Sequence, residues 1–203
     1  MKLFTIIRLF IVFLIAFSVT VLCISEYFLE FNISKRKKKA LLTIIIIDIL
    51  YITVFDRSSK NAGVTSLFPF KSYIDLFSGD WKNSAVFAWE QILGNVAIFV
   101  PFGMLVSELS NKNRLKLCVA SGFLFSFAIE LIQFITKTGK AEIDDIINNT
   151  LGVVFGFFLY ISLKYLRDKD YKKALPYLKP MIYYGLFMLF CMIYCSRVNV
   201  FYG

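Results

Sequence analysis

The stretch TKTGKAEIDDIINNTLGVVFG, residues 136–156, changes character halfway along. Its second half is apolar and Gly-rich, as expected for a helix entering a bilayer, where about 20 consecutive apolar residues are needed to cross. The stretch therefore predicts a membrane span with a polar entrance. The polar side chains at that entrance are Lys140, Glu142, Asp144, Asp145, Asn148 and Asn149.

The rest of the chain is equally apolar. Of its 203 residues, 58% are hydrophobic and 18% are charged, whereas soluble domains have about a quarter charged residues. The composition predicts an all-α, polytopic transmembrane helical bundle forming one membrane domain over residues 1–203. About six spans are expected, or five if one of the two short blocks (40–56 and 180–196) does not cross. The apolar blocks lie at 3–24, 40–56, 85–109, 115–136, 146–166 and 180–196.

The first block could be mistaken for a signal peptide. Its apolar run is longer than the 7–15 residues usual in such peptides, and no small-x-small cleavage site follows it. We therefore expect it to remain as a span.

The net charge of +9 comes from short basic runs between the apolar blocks. This placement is typical of topology signals in membrane proteins, so nucleic-acid binding is not expected. Loops 31–39, 110–116 and 164–179 hold fourteen Lys and Arg residues, against nine elsewhere. These three loops are predicted to be cytoplasmic, with both termini and loops 57–84 and 137–145 facing outward.

No cofactor or metal site is expected. The chain has no His, and its four Cys residues lie in or at the ends of apolar blocks without metal-ligand spacing. One loop, however, has its own pattern. The segment SLFPFKSYIDLFSG (66–79) mixes aromatic and polar residues, which predicts a segment lying in the membrane interface. A simple aromatic belt anchoring the helices is the alternative.

Polar residues recur inside three predicted spans. At about 1.5 Å per residue, Asn95 lies roughly 15 Å below loop 57–84, and Glu130 lies about 9 Å from loop 137–145. Because these loops are separated by two spans, they face the same side, and all these polar groups collect in one half of the membrane. The polar residues are Glu90, Gln91 and Asn95 in the third span, Glu130 and Gln133 in the fourth, and Asp144, Asp145, Asn148 and Asn149 in the fifth.

Helical spacing supports a shared surface. Glu130 and Gln133 are three residues apart and Asp145 and Asn149 are four apart, so each pair shares a helix face. Gly152 and Gly156 form a GxxxG motif that permits close helix contact. In the third span, Pro101 leaves the carbonyl of residue 97 without its helical partner and is expected to kink the helix.

Structural explanations exist for each of these residues. The GxxxG motif could serve packing alone, Asp144 and Asp145 could be acids favoured in a first helical turn, and Asn95 could form one interhelical hydrogen bond. Glu130 is hardest to explain in this way, because a buried carboxylate needs a cation or a proton. Lys140, or else Lys137 or Arg57, could supply that charge.

Four ordered blocks resemble the VanZ-like family of bacterial membrane proteins. The blocks are SLFPF, GNVAIFVPFGMLVSEL, AIELIQF and GKAEIDDIINNTLGVVFG, within residues 41–165. The spans at 3–24 and 180–196 then look like additions. The resemblance implies a multi-pass protein of the bacterial cytoplasmic membrane, associated with reduced susceptibility to teicoplanin. The positions that it covers are Asn95, Pro101, Phe102, Gly103, Glu130, Gln133, Asp145, Asn149, Gly152 and Gly156.

Lys140 departs from the family pattern, which usually has an Arg ahead of the acidic pair. Lys is a flexible point charge without the planar fork of Arg, so a phosphate or carboxylate would be held less rigidly.

Three functions remain open. In the first, an outer-half polar cavity engages membrane lipids, through a headgroup, or a lipid-linked cell-wall precursor; the binding residues are Asn95, Glu130, Gln133, Lys140, Asp144, Asp145 and Asn149. In the second, the protein is a membrane enzyme with Glu130 or Asp145 as the catalytic acid/base, although the missing His and the missing nucleophile pattern favour a non-enzyme. In the third, the protein is a non-catalytic structural partner of another envelope protein, and its KRKKK run contacts anionic lipid.

Overall fold

The computed structural model describes residues 14, 17–29, 32–55, 65–77, 86–110 and 114–202. Within these residues the chain forms seven helices and two short strands, which confirms the predicted all-α membrane bundle. The strands are β1 (Thr65–Ser66) and β2 (Ala141–Glu142). The helices are α1 (Phe17–Phe28), α2 (Lys35–Leu50), α3 (Lys71–Phe77), α4 (Val86–Leu109), α5 (Arg114–Thr136), α6 (Ile143–Arg167) and α7 (Tyr171–Tyr202).

Four of the described helices are long and apolar enough to cross a membrane, over Gln91–Leu109, Leu115–Thr136, Ile143–Arg167 and Tyr171–Cys191. The predicted span at 3–24 lies mostly outside the described residues. The predicted span at 40–56 falls in α2, which has 16 residues, and in one π-helical turn, Tyr51–Phe55. The described residues therefore support four of the six predicted spans by length and composition.

The last helix begins earlier than the predicted span at 180–196. Asp170 caps it, because its Oδ1 accepts a hydrogen bond from the backbone N–H of Lys173 at 3.2 Å, and the helix then runs through Pro176 and Pro180. The lysines of its first turns are exposed, so they do not oppose helix formation.

Exposed apolar side chains mark the surface of the bundle that faces lipid. Leu124 and Ile135 on α5 and Phe190 on α7 are each more than 60% exposed. Such a surface would be unfavourable in water and is expected where helices contact lipid.

Helices α4 and α6 make the most extensive contact in the bundle. A Cβ atom built on Gly156 would overlap the backbone carbonyl of Val100, and one built on Gly152 would overlap that of Val96. Gly103 of α4 faces the backbone of Val153 in the same way. The GxxxG motif therefore brings the two helix backbones into direct contact.

The two ends of the bundle differ in their connections. At one end, β1 pairs in parallel with β2, so that Thr65 lies opposite Ala141 and Ser66 opposite Glu142; we call this the strand end. At the opposite end Lys38 contacts Glu108, which brings together the α1–α2 and α4–α5 connections; we call this the basic end. Loops 57–84 and 137–145 thus meet at the strand end.

Candidate functional site

Asp145 lies at the centre of the polar cluster at the strand end. It is 2% exposed, and its Oδ1 accepts hydrogen bonds from Asn95 Nδ2 at 2.7 Å and from Gln91 Nε2 at 2.9 Å. Gln91 also donates to the carboxylate of Glu142. The side chains of α4 meet those of α6 here because the glycine contact holds the two helices together a few turns below.

The side chain of Asp144, the residue before Asp145, binds the start of α3. Its two carboxylate oxygens accept hydrogen bonds from the backbone N–H groups of Phe70 at 2.6 Å and Ser72 at 2.7 Å. These N–H groups lie at the start of a helix, where they lack helical acceptors and favour a negative charge. The hydroxyl of Tyr73 then donates to Asn148 Oδ1 at 2.7 Å. Asp144 and Asn148 thus anchor the aromatic segment to α6.

The segment of residues 67–74 has one buried side and one exposed side. Ser72 is buried, whereas Leu67, Phe68 and Ile74 are more than half exposed. Apolar side chains on the outer face of a segment anchored by polar contacts suit the membrane interface predicted for residues 66–79.

Glu130 joins α5 to the cluster. It is 5% exposed, and its Oε2 accepts a hydrogen bond from the backbone N–H of Glu142 at 2.9 Å. Of the cations suggested for Glu130, Lys140 forms an ion pair with Glu142, and Lys137 is exposed, with a φ of 54°. Arg57 lies outside the described residues.

Two buried amides bind α5 to its neighbours. Gln133 Nε2 donates to the backbone carbonyl of Thr53 at 2.6 Å, in the π-helical turn, where the altered spacing changes the helical hydrogen-bond pattern. Asn149 Nδ2 donates to Ser126 Oγ at 2.8 Å. Gln133 Oε1, Asn148 Nδ2 and Asn149 Oδ1 are buried without a hydrogen-bond partner among the described residues. Such atoms are rare, and each is a place for a water molecule or a polar ligand group.

Pro101, Phe102 and Gly103 lie outside this cluster. They are buried in the middle of α4, about two turns from Asn95. Phe102 stacks on Phe125 of α5 with ring centroids 5.3 Å apart. Pro101, Phe102 and Gly103 therefore contribute to helix packing, as do Gly152 and Gly156.

An apolar groove runs along the cluster between α5 and α6, and we call it the α5–α6 groove. Its volume is about 640 Å³. Glu130 and Glu142 also line the α5–α6 groove, so these two acidic residues lie beside apolar side chains. The apolar lining includes Phe123, Phe127, Phe134, Ile146 and Ile147.

Sequence reasoning assigned no role to several residues that the structure places here. Glu142, Gln91 and Tyr73 were visible as polar groups near the cluster, but their partners depend on how the helices pack. Asp48 was missed altogether: it is 6% exposed in α2, and its Oδ2 has no hydrogen-bond partner among the described residues. A single acid inside the apolar run IIIIDIL was the signal that could have found it.

The acids of the cluster do not converge as metal ligands. Over the described part of the chain, no group of three or more Cys, Asp or Glu side chains is arranged to hold a metal ion.

The sequence of the chain is similar to those of known proteins. Residues 10–165 match the family model described as VanZ/LLP1, a range that starts ahead of the region 41–165 marked by the motifs. The chain is 28% identical to Protein VanZ of Enterococcus faecium over 116 residues, which cover 56% of this chain and 68% of that protein. No solved structure matches this chain. The family match covers more than half of the chain, which therefore belongs to the VanZ/LLP1 family.

Proposed function

We propose that the protein, a multi-pass protein of the bacterial cytoplasmic membrane, engages a lipid headgroup or a lipid-linked cell-wall intermediate at the strand end. The apolar chain of this ligand lies in the α5–α6 groove, and its polar group meets Glu130 and Glu142. Through this binding the protein lowers susceptibility to teicoplanin-type lipoglycopeptides. The observation that carries the proposal is an apolar groove ending at buried carboxylates.

The groove has the form that an acyl or polyprenyl chain requires. Its volume of about 640 Å³ lies within the range, roughly 300–1,000 Å³, of pockets that bind small molecules. Phe123, Phe127 and Phe134 line it and are each about half exposed on the outer surface of α5. A lipid can therefore enter from the side, without crossing the bundle.

The two acidic residues of the groove suit hydroxyl and amide groups. Carboxylates such as those of Glu130 and Glu142 accept hydrogen bonds from O–H and N–H donors, and sugars and peptides present many of these. Lys140, paired with Glu142, adds one ammonium group for an anionic part of the ligand. The chemistry thus fits a sugar- or peptide-bearing lipid better than a purely apolar one.

The enzymatic alternative has less support. It uses Glu130 or Asp145 as an acid/base, but Asp145 accepts hydrogen bonds from Asn95 and Gln91 and does not line the groove. The structural alternative gains from the internal hydrogen bonds of the cluster, since these would hold the helices together without any ligand.

One complementation experiment tests whether the groove and Glu130 are needed for this effect. A strain lacking the gene receives the unmutated chain, Glu130→Gln or Ile147→Trp, which fills the groove. We expect the unmutated chain to lower teicoplanin susceptibility and both variants to lose this effect at equal expression, which immunoblotting would check. Leu124→Trp is the matched control, because Leu124 is 62% exposed on α5 and does not line the groove. Full activity of Ile147→Trp would exclude the groove as the binding place.

A further inference from the structure

A second polar pocket lies at the basic end, far from the strand-end cluster. Glu108 is 17 residues beyond Gln91 on α4, which corresponds to roughly 25 Å along the helix. The pocket has a volume of about 510 Å³, within the range of small-molecule sites. The residues that matter here are Glu26, Tyr27, Lys38, Glu108, Lys164 and Arg167, all of which line it.

One wall of this basic-end pocket consists of two carboxylates bridged by a lysine. Lys38 Nζ lies 2.7 Å from Glu26 Oε1 and 2.6 Å from Glu108 Oε1. Glu26 Oε1 also accepts the backbone N–H of Ile33 at 3.0 Å, and Glu108 Oε1 the hydroxyl of Tyr27 at 3.1 Å. All these contacts use one oxygen of each carboxylate.

The second oxygen of Glu26 is left without a donor among the described residues. Glu26 Oε2 is buried, on a side chain that is 8% exposed, and has no hydrogen-bond partner among the described residues. Glu108 is 15% exposed and lines the pocket, so its second oxygen can accept a donor from a bound molecule. A buried acceptor without a partner is unfavourable, which indicates that a donor group binds against this wall.

Two cationic side chains also line the pocket, Lys164 and Arg167, and Arg167 Nε lies 3.8 Å from Oδ1 of the exposed Asp168. Lys164 and Arg167 lie three residues apart on the last turns of α6, and so on one face. The Arg167 guanidinium lies 5.4 Å from the centroid of the Tyr27 ring, a cation–π contact that positions it at the pocket. Lys164 has no ion pair with any acid in the described part of the chain. An anionic group can therefore bind between Lys164 and Arg167.

We propose that the basic-end pocket binds the headgroup of a phospholipid that carries both a phosphate and an N–H or O–H donor. The phosphate contacts Lys164 and Arg167, and the donor contacts the carboxylates of Glu26 and Glu108. The pocket lies where the apolar helices α4 and α6 end, which is the level of lipid headgroups. Basic pockets between membrane helices at this level commonly hold such groups. This site is independent of the strand-end proposal, since it shares no residue with it.

Lipid retention in native mass spectrometry of the purified full chain tests the proposal. Phosphatidylethanolamine has a phosphate and an ammonium donor, whereas phosphatidylcholine has the phosphate but no N–H. We expect phosphatidylethanolamine to be retained about tenfold better, the effect of one hydrogen bond to a charged group. The double variant Lys164→Gln, Arg167→Gln should lose about tenfold of this retention. Both residues are partly or largely exposed, so the fold should persist, which circular dichroism would check.

Lys172→Gln is the matched control, because Lys172 is an exposed lysine at the same end that does not line the pocket. It should retain the lipid like the unmutated chain, and an equal loss would show attraction by general positive charge instead. Equal retention of the two lipids would overturn the role of the donor. Free phosphoethanolamine competing as well as the lipid would overturn the assignment to a membrane ligand.

Discussion

The strand end and the basic end hold their buried acids in different ways. At the strand end, Asp145 is held by the side-chain amides of Asn95 and Gln91, and Asp144 by two backbone N–H groups. At the basic end, one ammonium group, Lys38, serves two carboxylates. The first arrangement uses several neutral donors in fixed positions, and the second depends on a single charge.

This difference separates what each end can do. The donors at the strand end belong to three different elements (the α3 backbone, α4 and the strand before α6), so these contacts also fix the position of the loops. At the basic end, Lys38 and Tyr27 donate from their side chains and Ile33 from its backbone, beside a pocket of about 510 Å³. The acids of the strand end are thus tied to several elements of the fold, whereas those of the basic end share one cation.

The largest effect is expected at the contact between α4 and α6, the two helices that connect the strand end with the basic end. Gly156→Leu would drive a side chain into the backbone of Val100 and Gly103, separating α4 from α6. Overpacking of this kind costs about 3 kcal/mol or more when the backbone must move. We expect a collapse in the yield of monodisperse protein, measured by size exclusion in detergent. Gly185→Leu is the control, because no atom lies within 4 Å of a Cβ at Gly185. A normal yield of Gly156→Leu would contradict the close α4–α6 contact.

The second largest effect is expected at Lys38, whose ammonium group pairs with two carboxylates at the basic end. Lys38→Met leaves Glu26 and Glu108 without their cation, and removing one partner of a buried ion pair is strongly destabilising. Because Lys38 is 11% exposed, solvent reduces the cost, and we expect about 2 kcal/mol. Thermal unfolding in detergent would measure it, with Lys172→Met as the exposed control. An unchanged melting temperature in Lys38→Met would show that the two carboxylates need no cation.

The pH dependence provides a second readout of the same charge. Burial alone would lower the pKa of Lys38, but the hydrogen bonds that it donates to Glu108 and Glu26 raise it above its ordinary 10.5. A raised pKa in the folded state means that the stabilisation is complete below pH 10.5 and is lost as the pH rises through the folded value. The unmutated chain should therefore lose stability above about pH 10.5, and Lys38→Met should lose less over the same range.

How much the sequence could reveal differs between the two ends. The strand-end polar groups could be grouped from the sequence because the rise of a helix is constant, so that residue counts give depths in the membrane. Glu26, Lys38 and Glu108 were not recognised as a group, because charged residues at the ends of apolar blocks are expected from topology alone. Only the packing of α1, α2 and α4 shows that these three side chains meet.

The bounds of the helices could also be predicted better in some places than in others. The spans predicted at 85–109 and 115–136 match α4 and α5 to within one residue, because apolar side chains fill these blocks to both ends. The start of α7 was predicted too late, since Lys172, Lys173 and Lys179 resemble a loop by composition although they extend from a helix into solvent. The partners of Asp144 could not be predicted, because they are backbone groups of a distant segment.

The smallest effect is expected at the link between α6 and α3. Asp144→Ala removes both acceptors of the Phe70 and Ser72 N–H groups but leaves the α4–α6 contact intact. Loss of a capping side chain costs about 1 kcal/mol, and the cost should fall on α3 alone. Hydrogen exchange should become faster at residues 70–74 while α4 and α6 remain protected. Asp168→Ala, at the exposed end of α6, is the control. Faster exchange throughout the bundle would mean that Asp144 stabilises the whole fold and not only the link between α6 and α3.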